Sequence, residues 1–375
     1  MPTAPGPTVL DALSLLAEVA DELVVRSVRD THLAVLDRTP AGRVHRGITG
    51  AVYGGLTHAL TGASRGLDSL AATGVGPRLE SDPRGRFLSS AVNGLIGDRL
   101  LRERPQLAIP MALRRDGADV DPEPEPLAAA YPDATGKVVV LLHGLCENES
   151  FWSLHRERTG TTYAEALAGR GWTPLLLRAN TGLPLRENGA ALTALLQRVV
   201  DGWPVPVTRI ALVGHSMGGL VMRAAAGVVS DHDTPWAGLV SDVVTLGTPH
   251  LGAPVAWGVG EGSKGLSKLK ETAAFGRVLD WRSRGVHDLV HGLAEDVAPL
   301  PHARYHLVAA TLTRSERHPV GSVVGDLLVR PHSAYGQDRT RSLFPGADVL
   351  HVGRTDHFGL LNHPEVHDAL ERWLA

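Results

Sequence analysis

The stretch "RIALVGHSMGGLVMRAAAG", residues 209–227, decides how this chain folds and where its chemistry lies. Its first half is an apolar run typical of a buried strand, and the residues from Met217 onward favour a helix. Between them, Gly214–Gly218 fits the pattern G-x-S-x-G. In a sharp strand-to-helix turn the central residue has a strained backbone, and glycines two positions away remove the clash. The pattern predicts that Ser216 is a nucleophile at the positive end of a helix; the alternative is a glycine-rich turn with an incidental serine.

Strands and helices alternate on both sides of this turn. Apolar runs predict strands, and periodic segments between them predict helices. The predicted strands are 137–143, 173–179, 208–214, 239–248, 304–311 and 347–352, and the predicted helices are 161–171, 187–203, the segment from Met217 and 364–374. A hairpin is expected over 107–113 and 118–120, followed by a loop over 121–134. This alternation is typical of an α/β fold, a mostly parallel sheet flanked by helices.

Two regions depart from the alternation. Residues 1–105 contain helical patterns at 8–36, 43–71 and 86–103, and we predict that they form a helical N-terminal extension. Residues 251–303 are long for a connection, and we predict a cap or lid insertion there. The domain organisation expected is therefore an extension at 1–105 and a catalytic domain at 106–375 that contains the insertion.

Composition excludes several classes of protein. The chain has 375 residues and a formal net charge of −3, so bulk charge gives no argument for nucleic acid. Its one cysteine, Cys146, cannot form an internal disulfide. The N-terminus lacks a basic start before its apolar stretch, and no uncharged apolar run is long enough for a transmembrane segment. A cytoplasmic protein is the resulting expectation.

A nucleophilic serine needs a base, and the base needs an acid that orients it. In sheets of this kind the order along the chain is serine, acid, histidine. His357 follows the last predicted strand and precedes the closing helix, where the base belongs. Asp326, after the strand 304–311, is the candidate acid, although a turn aspartate would look the same. Asp356 adjoins His357, and Asp242 begins its strand at the wrong end of the sheet.

Ester or amide chemistry at a serine also needs two donors for the oxyanion of the tetrahedral intermediate. The backbone N–H of Met217, directly after the nucleophile, is one candidate. The other is the N–H of Leu145, in the loop after the strand 137–143, where His143-Gly144 allows a sharp turn. Cys146 has no base beside it in the sequence, so a small buried residue is the favoured interpretation.

Together these segments resemble the α/β-hydrolase superfamily, specifically bacterial lipases and esterases. The resemblance spans about residues 106–375 and rests on "LLHGL" (141–145), "GHSMGG" (214–219), "TLGTPHLGAPVA" (245–256), "GDLLV…HSA" (325–334) and "DHFGLLNHPEV" (356–366). The element "GTPHLG" is similar to that of bacterial lipases and of hydrolases of the GPI inositol-deacylase type. The resemblance implies a Ser216–Asp326–His357 triad and a substrate pocket shaped near this element. We expect substrate contacts from His143, His215, His250 and Leu251.

The activity that the resemblance implies is hydrolysis of carboxylic esters through an acyl-enzyme intermediate, with no metal and no organic cofactor. The same triad would serve an acyltransferase, a thioesterase or an amidase, and a non-catalytic binding module is the alternative from another class. A structural calcium stays open. The expected partner is a small-molecule or lipid ester, with neither nucleic acid nor a transmembrane segment involved. Simple lipases lack an extension like residues 1–105, which is compatible with a homo-oligomer contact, a lipid-surface contact or a structural brace.

Overall fold

The computed structural model describes residues 7–20, 42–73, 78–80, 83–253, 283–293, 297–338 and 340–375. These residues form two compact units. The first comprises the described residues up to Ala108, together with Ser283. The second comprises the described residues from Ile109 to Ala253 and from Arg284 to Ala375. Most of the predicted cap at 251–303, and much of the helix predicted at 8–36, lie outside the described residues.

The first unit is helical. Its helices are α1 (Val9–Ala20), α2 (Gly42–Ala71) and α3 (Pro83–Glu103). A small apolar core fills it, made of Leu15, Leu79, Val92, Ile96, Leu100 and Leu107. The buried hydroxyl of Ser14 donates to the carbonyl of Ser64 at 3.0 Å, which joins α1 to α2. No helix in the described ranges has the length and apolar character needed to cross a bilayer.

The second unit contains the predicted sheet. Its strands are β1 (Ala112–Arg115), β2 (Ala118–Val120), β3 (Lys137–Leu142), β4 (Thr173–Arg178), β5 (Arg209–His215), β6 (Val240–Leu246), β7 (Arg304–Thr311) and β8 (Asp348–Gly353). Its described α-helices are α4 (Pro124–Ala130), α5 (Tyr163–Ala168), α6 (Leu185–Gly202), α7 (Met217–Ala226), α8 (Arg284–His291), α9 (Pro319–Val324), α10 (Pro331–Ala334) and α11 (Pro364–Trp373).

The strands form one eight-stranded sheet in the order β2-β1-β4-β3-β5-β6-β7-β8. Strands β3 to β8 pair in parallel, whereas β1 is antiparallel to both β2 and β4. The predicted mostly parallel sheet flanked by helices is thus confirmed. Because the six parallel strands end at one edge, the loops that follow them meet there.

Alternate residues of the central strands enter two separate cores. In β3, Val138 and Val140 pack with residues of α6 and α7 on one face of the sheet. Val139 and Leu141 pack with residues of α5 and α11 on the other face. Both faces are therefore covered, which explains why these strands are continuous apolar runs rather than alternating ones.

One local prediction was wrong. Residues 121–134 were expected to be a loop, but Pro124–Ala130 form α4. The φ angle of proline suits the first turn of a helix, where its missing N–H costs nothing. The following Leu-Ala-Ala-Ala favours helix, and Leu127 is fully buried in the core.

Candidate active site

Ser216 lies at the junction of β5 and α7. Its backbone has φ 52° and ψ −123°, in a region that residues with a Cβ rarely adopt. Its N–H donates to the carbonyl of Leu246, at the end of the neighbouring β6, at 2.8 Å. The turn therefore holds Ser216 at the carboxyl edge of the sheet and at the N-terminus of α7, as predicted for a nucleophile.

The glycines around Ser216 are required by close approaches of the backbone. A Cβ on Gly214 would lie 2.5 Å from the amide nitrogen of Gly219. On Gly218 it would lie 2.3 Å from the carbonyl oxygen of Leu142, and on Gly219 only 2.2 Å from Oγ1 of Thr248. These distances are shorter than any van der Waals contact. The glycines of "GHSMGG" are therefore needed for the tight packing of α7 against the sheet.

His357 and Asp326 lie together on the loops after β8 and β7. Nδ1 of His357 is 2.7 Å from Oδ2 of Asp326, and both residues are buried. Oδ1 of Asp326 accepts the N–H groups of Val329 at 2.7 Å and Leu328 at 3.0 Å. Both oxygens of the carboxylate are thus engaged, and the second one fixes the imidazole.

Electrostatics couples this pair. Burial acts to raise the pKa of Asp326, but the imidazole of His357 and the two N–H groups hold that pKa below its usual value. Burial acts to lower the pKa of His357, but the carboxylate of Asp326, together with those of Glu147 and Asp356, outweighs this effect and raises that pKa. The arrangement favours an ionised Asp326 that stabilises a proton on His357.

His357 and Ser216 both lie against the end of β6. The carbonyl of Leu246 holds the amide of Ser216, and a Cβ on the next residue, Gly247, would lie 3.1 Å from Cε1 of His357. Nε2 of His357 is buried and has no hydrogen-bond partner in the described part of the chain. The geometry leaves this nitrogen available as a base.

The loop after β3 packs against Ser216. A Cβ on Gly144 would lie 2.8 Å from Cβ of Ser216, so only glycine permits this approach. The N–H of Gly144 donates to Oε2 of Glu147 at 2.8 Å, and that of Cys146 donates to Oγ1 of Thr181 at 3.1 Å. The N–H of Leu145, between them, donates to no acceptor among the described residues. This pattern suits an oxyanion donor.

The second candidate donor belongs to the helix that follows Ser216. The N–H of Met217, at the first position of α7, has no acceptor within its own helix. It also carries the positive end of the helix dipole. Of the predicted oxyanion residues, Met217 directly follows Ser216 in the chain, and Leu145 directly follows Gly144, whose backbone packs against Ser216.

The loop after β4 supports the loop after β3, residues 143–148, which we call the oxyanion loop. The sequence did not suggest this role. The N–H of Ala179 donates to Nε2 of His143 at 3.1 Å, and Thr181 accepts the amide of Cys146. Both contacts come from "RANTG", a segment that has the composition of an ordinary turn. Only the three-dimensional pairing of β4 with β3 brings it to Leu145.

Three of the residues expected to contact substrate are buried histidines. His143 pairs with Ala179 through Nε2 and with the carbonyl of Gly144 through Nδ1. His215 pairs with Glu147 and with the carbonyl of His357. Burial lowers the pKa of His250 to about 3, which keeps its ring neutral. Their contact with a substrate stays a prediction.

Leu251, the fourth such residue, lies on the loop after β6. Its N–H donates to Oγ of Ser333 at 3.2 Å, and the same hydroxyl donates to the carbonyl of Gly252 at 2.6 Å. The N–H of His250 donates to the carbonyl of Ser333 at 3.1 Å. The segments "GTPHLG" and "HSA" are therefore held together by this one serine, whereas most of the expected cap falls in residues that are not described.

Cys146 is a poor candidate for a nucleophile. Burial and the neighbouring Glu147 raise the pKa of the Cys146 thiol to about 12, so the nucleophilic thiolate is disfavoured.

Within the described ranges, no three His, Cys, Asp or Glu residues cluster as metal ligands would. Asp242, at the start of β6, is engaged by His306 and Arg209 far from the carboxyl edge of the sheet.

Comparisons with solved structures give several similar proteins. A Bacillus licheniformis lipase in its mature form shares 20% identity and covers 64% of this chain and 92% of its own, with a TM-score of 0.45. A Pyrococcus furiosus esterase shares 17% identity over 64% of this chain and 83% of its own, with a TM-score of 0.38. EstA from Clostridium botulinum shares 15% identity over 64% and 86%, with a TM-score of 0.40.

Comparisons of sequence narrow the similarity to one segment. No curated protein matches the chain. Residues 177–262 match a family model described as the PGAP1-like alpha/beta domain. This segment includes α6, Ser216, β6 and the loop "GTPHLG". The sheet and the strand–serine–helix turn are those of the α/β-hydrolase fold, and the segment that bears Ser216 is similar to the PGAP1-like α/β domain.

Proposed function

We propose that this protein hydrolyses carboxylic esters through an acyl-enzyme intermediate on Ser216, with His357 as base and Asp326 as the acid that orients it. The observation that carries the proposal is the 2.7 Å hydrogen bond between Nδ1 of His357 and Asp326. It leaves Nε2 of the same ring without a partner among the described residues, at the end of β6 where Ser216 is also bound.

The reaction begins when Oγ of Ser216 attacks the ester carbonyl and Nε2 of His357 accepts its proton. The N–H groups of Leu145 and Met217 donate to the oxyanion that forms. Asp326 stabilises the imidazolium, which then protonates the leaving alcohol. Water enters, loses a proton to His357 and attacks the acyl carbonyl. The bond from the acyl carbon to Oγ of Ser216 then breaks, His357 returns the proton to Oγ, and the acid is released.

The substrate class proposed is a small-molecule or lipid ester. Ester hydrolysis at this site needs only the donors and the base described above, so no metal step is invoked. The cytoplasmic location expected from the sequence stays a prediction, as does any contact of the N-terminal extension with a second copy or a lipid surface.

The test is hydrolysis of a p-nitrophenyl ester series from acetate to palmitate by the wild type and by Ser216→Ala. Loss of a triad nucleophile lowers turnover by about a million-fold. Ser153→Ala is the control, since Ser153 is exposed. A fluorophosphonate probe should label the wild type and the control, and should not label Ser216→Ala.

The outcomes separate the alternatives. Activity that is lost in Ser216→Ala and retained in Ser153→Ala supports the proposal. Equal rates in the wild type and Ser216→Ala would refute the nucleophile. Labelling of Ser216 without hydrolysis of any ester would refute the ester substrate and direct attention to acyl transfer, thioesters or amides.

A further inference from the structure

Two buried ionisable residues beside Ser216 have no part in the reaction described above. Glu147 is 3% exposed and His215 is fully buried. Oε2 of Glu147 lies 3.0 Å from Nδ1 of His215 and also accepts the N–H of Gly144 at 2.8 Å. Burying a carboxylate and an imidazole away from water is costly unless they are paired, so their juxtaposition needs an explanation.

The hydrogen bonds indicate how the pair is protonated. Nε2 of His215 lies 3.3 Å from the carbonyl oxygen of His357, which can only accept, so Nε2 bears a proton. Nδ1 faces Glu147. Burial acts to raise the pKa of Glu147. His215, the N–H of Gly144 and His143 outweigh this effect and lower the pKa below its usual value, which favours the carboxylate. An ionised Glu147 can only accept, so the 3.0 Å contact is a hydrogen bond when Nδ1 of His215 bears a proton as well.

We propose that Glu147 and His215 form a buried ion pair that positions the oxyanion loop, the turn at Ser216 and the ring of His357 relative to one another. This inference rests on the proposed function, because the groups it aligns are those of the acyl-enzyme reaction. Both are positioning residues, since the reaction described above gives neither of them a contact with the reacting atoms.

The pair joins the pieces of the site directly. Glu147 binds the amide of Gly144, whose backbone packs against Cβ of Ser216. His215 precedes Ser216 in the turn and holds the carbonyl of His357. A single pair of side chains therefore connects the loops after β3, β5 and β8.

Charge explains why both members are needed. The rings of His215 and His357 are 4.8 Å apart between centroids. A lone positive charge on His215 would oppose the imidazolium that His357 forms during the reaction. The carboxylate of Glu147 offsets that charge. The other ionisable groups that act on His357 are Asp326 and Asp356.

The experiment compares Glu147→Gln, His215→Gln and a control on the same loop, Glu149→Gln. Glu149 is also buried, but it pairs with Arg114 at 3.0 Å. We expect Glu147→Gln to lower kcat for p-nitrophenyl butyrate by about 10- to 100-fold with KM little changed, because misplacement of catalytic groups costs this much. Glu149→Gln should stay near the wild type in kcat, and thermal unfolding should show that each variant folds.

The pH profile of kcat/KM gives a readout that a merely structural role would not move. Glu147→Gln removes a carboxylate that raises the pKa of His357, so the acid limb should shift to lower pH. In His215→Gln an unpaired carboxylate remains, so the acid limb should shift to higher pH. Opposite shifts support the ion pair. Wild-type kcat in Glu147→Gln, or an acid limb at the same pH in Glu147→Gln and Glu149→Gln, would overturn the proposal.

A measurement independent of activity separates this proposal from the proposed function. In Ser216→Ala, nitrogen NMR at neutral pH should show protons on both ring nitrogens of His215, assigned by their loss in the double variant with His215→Gln. A neutral His215 would overturn the ion pair even if the enzyme hydrolyses esters. A doubly protonated His215 would support the pair even if every ester tested proves inert.

Discussion

Asp326 holds His357 through both its side chain and its backbone. Oδ2 of Asp326 is 2.7 Å from Nδ1 of His357, and the carbonyl of Asp326 accepts the N–H of His357 at 3.0 Å. The two residues are 31 positions apart in the chain. Because the loop is fixed as well as the ring, the orientation of the imidazole is set before any substrate arrives.

The first prediction concerns the acid. Asp326→Asn should lower kcat by about 10⁴-fold, because an amide at this position stabilises the wrong tautomer of the histidine. Steady-state hydrolysis of p-nitrophenyl butyrate measures the effect. Asp356→Asn is the matched control, since Asp356 is exposed and its oxygen, which accepts the N–H of Gly359, is retained in the amide. Equal losses in both variants would contradict the assignment of the acid.

The second prediction concerns pH. Asp326 raises the pKa of His357, and His357 acts only when unprotonated. The activity should therefore be full at pH values above this raised pKa and should fall as the pH drops through it. In Asp326→Asn the residual activity should persist to lower pH, because the stabilising charge is gone. A profile of kcat/KM against pH checks both, and an acid limb that does not move in the variant would argue against this coupling.

The third prediction concerns the oxyanion loop. Gly144→Ala should lower kcat by about 100-fold or more, because the new methyl group meets Cβ of Ser216 at 2.8 Å and Oε1 of Glu147 at 2.7 Å. Gly238→Ala is the control, since a Cβ at Gly238 meets nothing within 4 Å. Unfolding curves should show that both variants fold. Wild-type turnover in Gly144→Ala would mean that the loop lies elsewhere during the reaction.

The fourth prediction concerns stability. Ser333→Ala removes the hydroxyl that accepts the N–H of Leu251 and donates to the carbonyl of Gly252. Leaving these buried groups unpaired should lower the free energy of unfolding by about 1–3 kcal/mol. Denaturant unfolding measures it, with the exposed Ser153→Ala as a reference. A change no larger than that of the reference would show that the two segments are held by other contacts.

The fifth prediction concerns the thiol. With a pKa of about 12, Cys146 should be about one part in ten thousand thiolate at pH 8. Iodoacetamide should therefore modify the folded protein far more slowly than the protein unfolded in guanidinium chloride, which provides the comparison. Mass spectrometry follows the single cysteine. Equal rates in the two states would contradict the raised pKa.

Much of the fold could be predicted because buried parallel strands appear in the sequence as continuous apolar runs. The predicted strand 304–311 coincides with β7, and the strand predicted at 208–214 is β5, displaced by one residue. The order of the strands in the sheet could not be predicted, since it depends on pairing between distant segments. Helix α4 was missed because its Pro and Glu residues are equally typical of a loop.

In the candidate site, too, features set by local sequence could be predicted, and contacts between distant segments could not. The positions of Ser216 and His357 could be predicted because each lies at a defined place between a strand and a helix. Glu147 and Thr181 were missed, because nothing in "LCENE" or "RANTG" indicates a partner, and their contacts arise only when the loops after β3, β4 and β5 converge. The walls of the substrate pocket could not be predicted, because they depend on which loops lie side by side at the carboxyl edge of the sheet.

The positive φ of Ser216 affects which substitutions this position can accept during evolution. A residue with a Cβ in this conformation carries about 1–3 kcal/mol of strain, which glycine would relieve. Mutation and selection for stability alone would thus favour glycine at position 216. Serine persists only while its hydroxyl is needed. Among descendants of this sequence, replacement of Ser216 by glycine, with Gly214, Gly218 and Gly219 retained, would identify lineages that have kept the architecture and abandoned the chemistry.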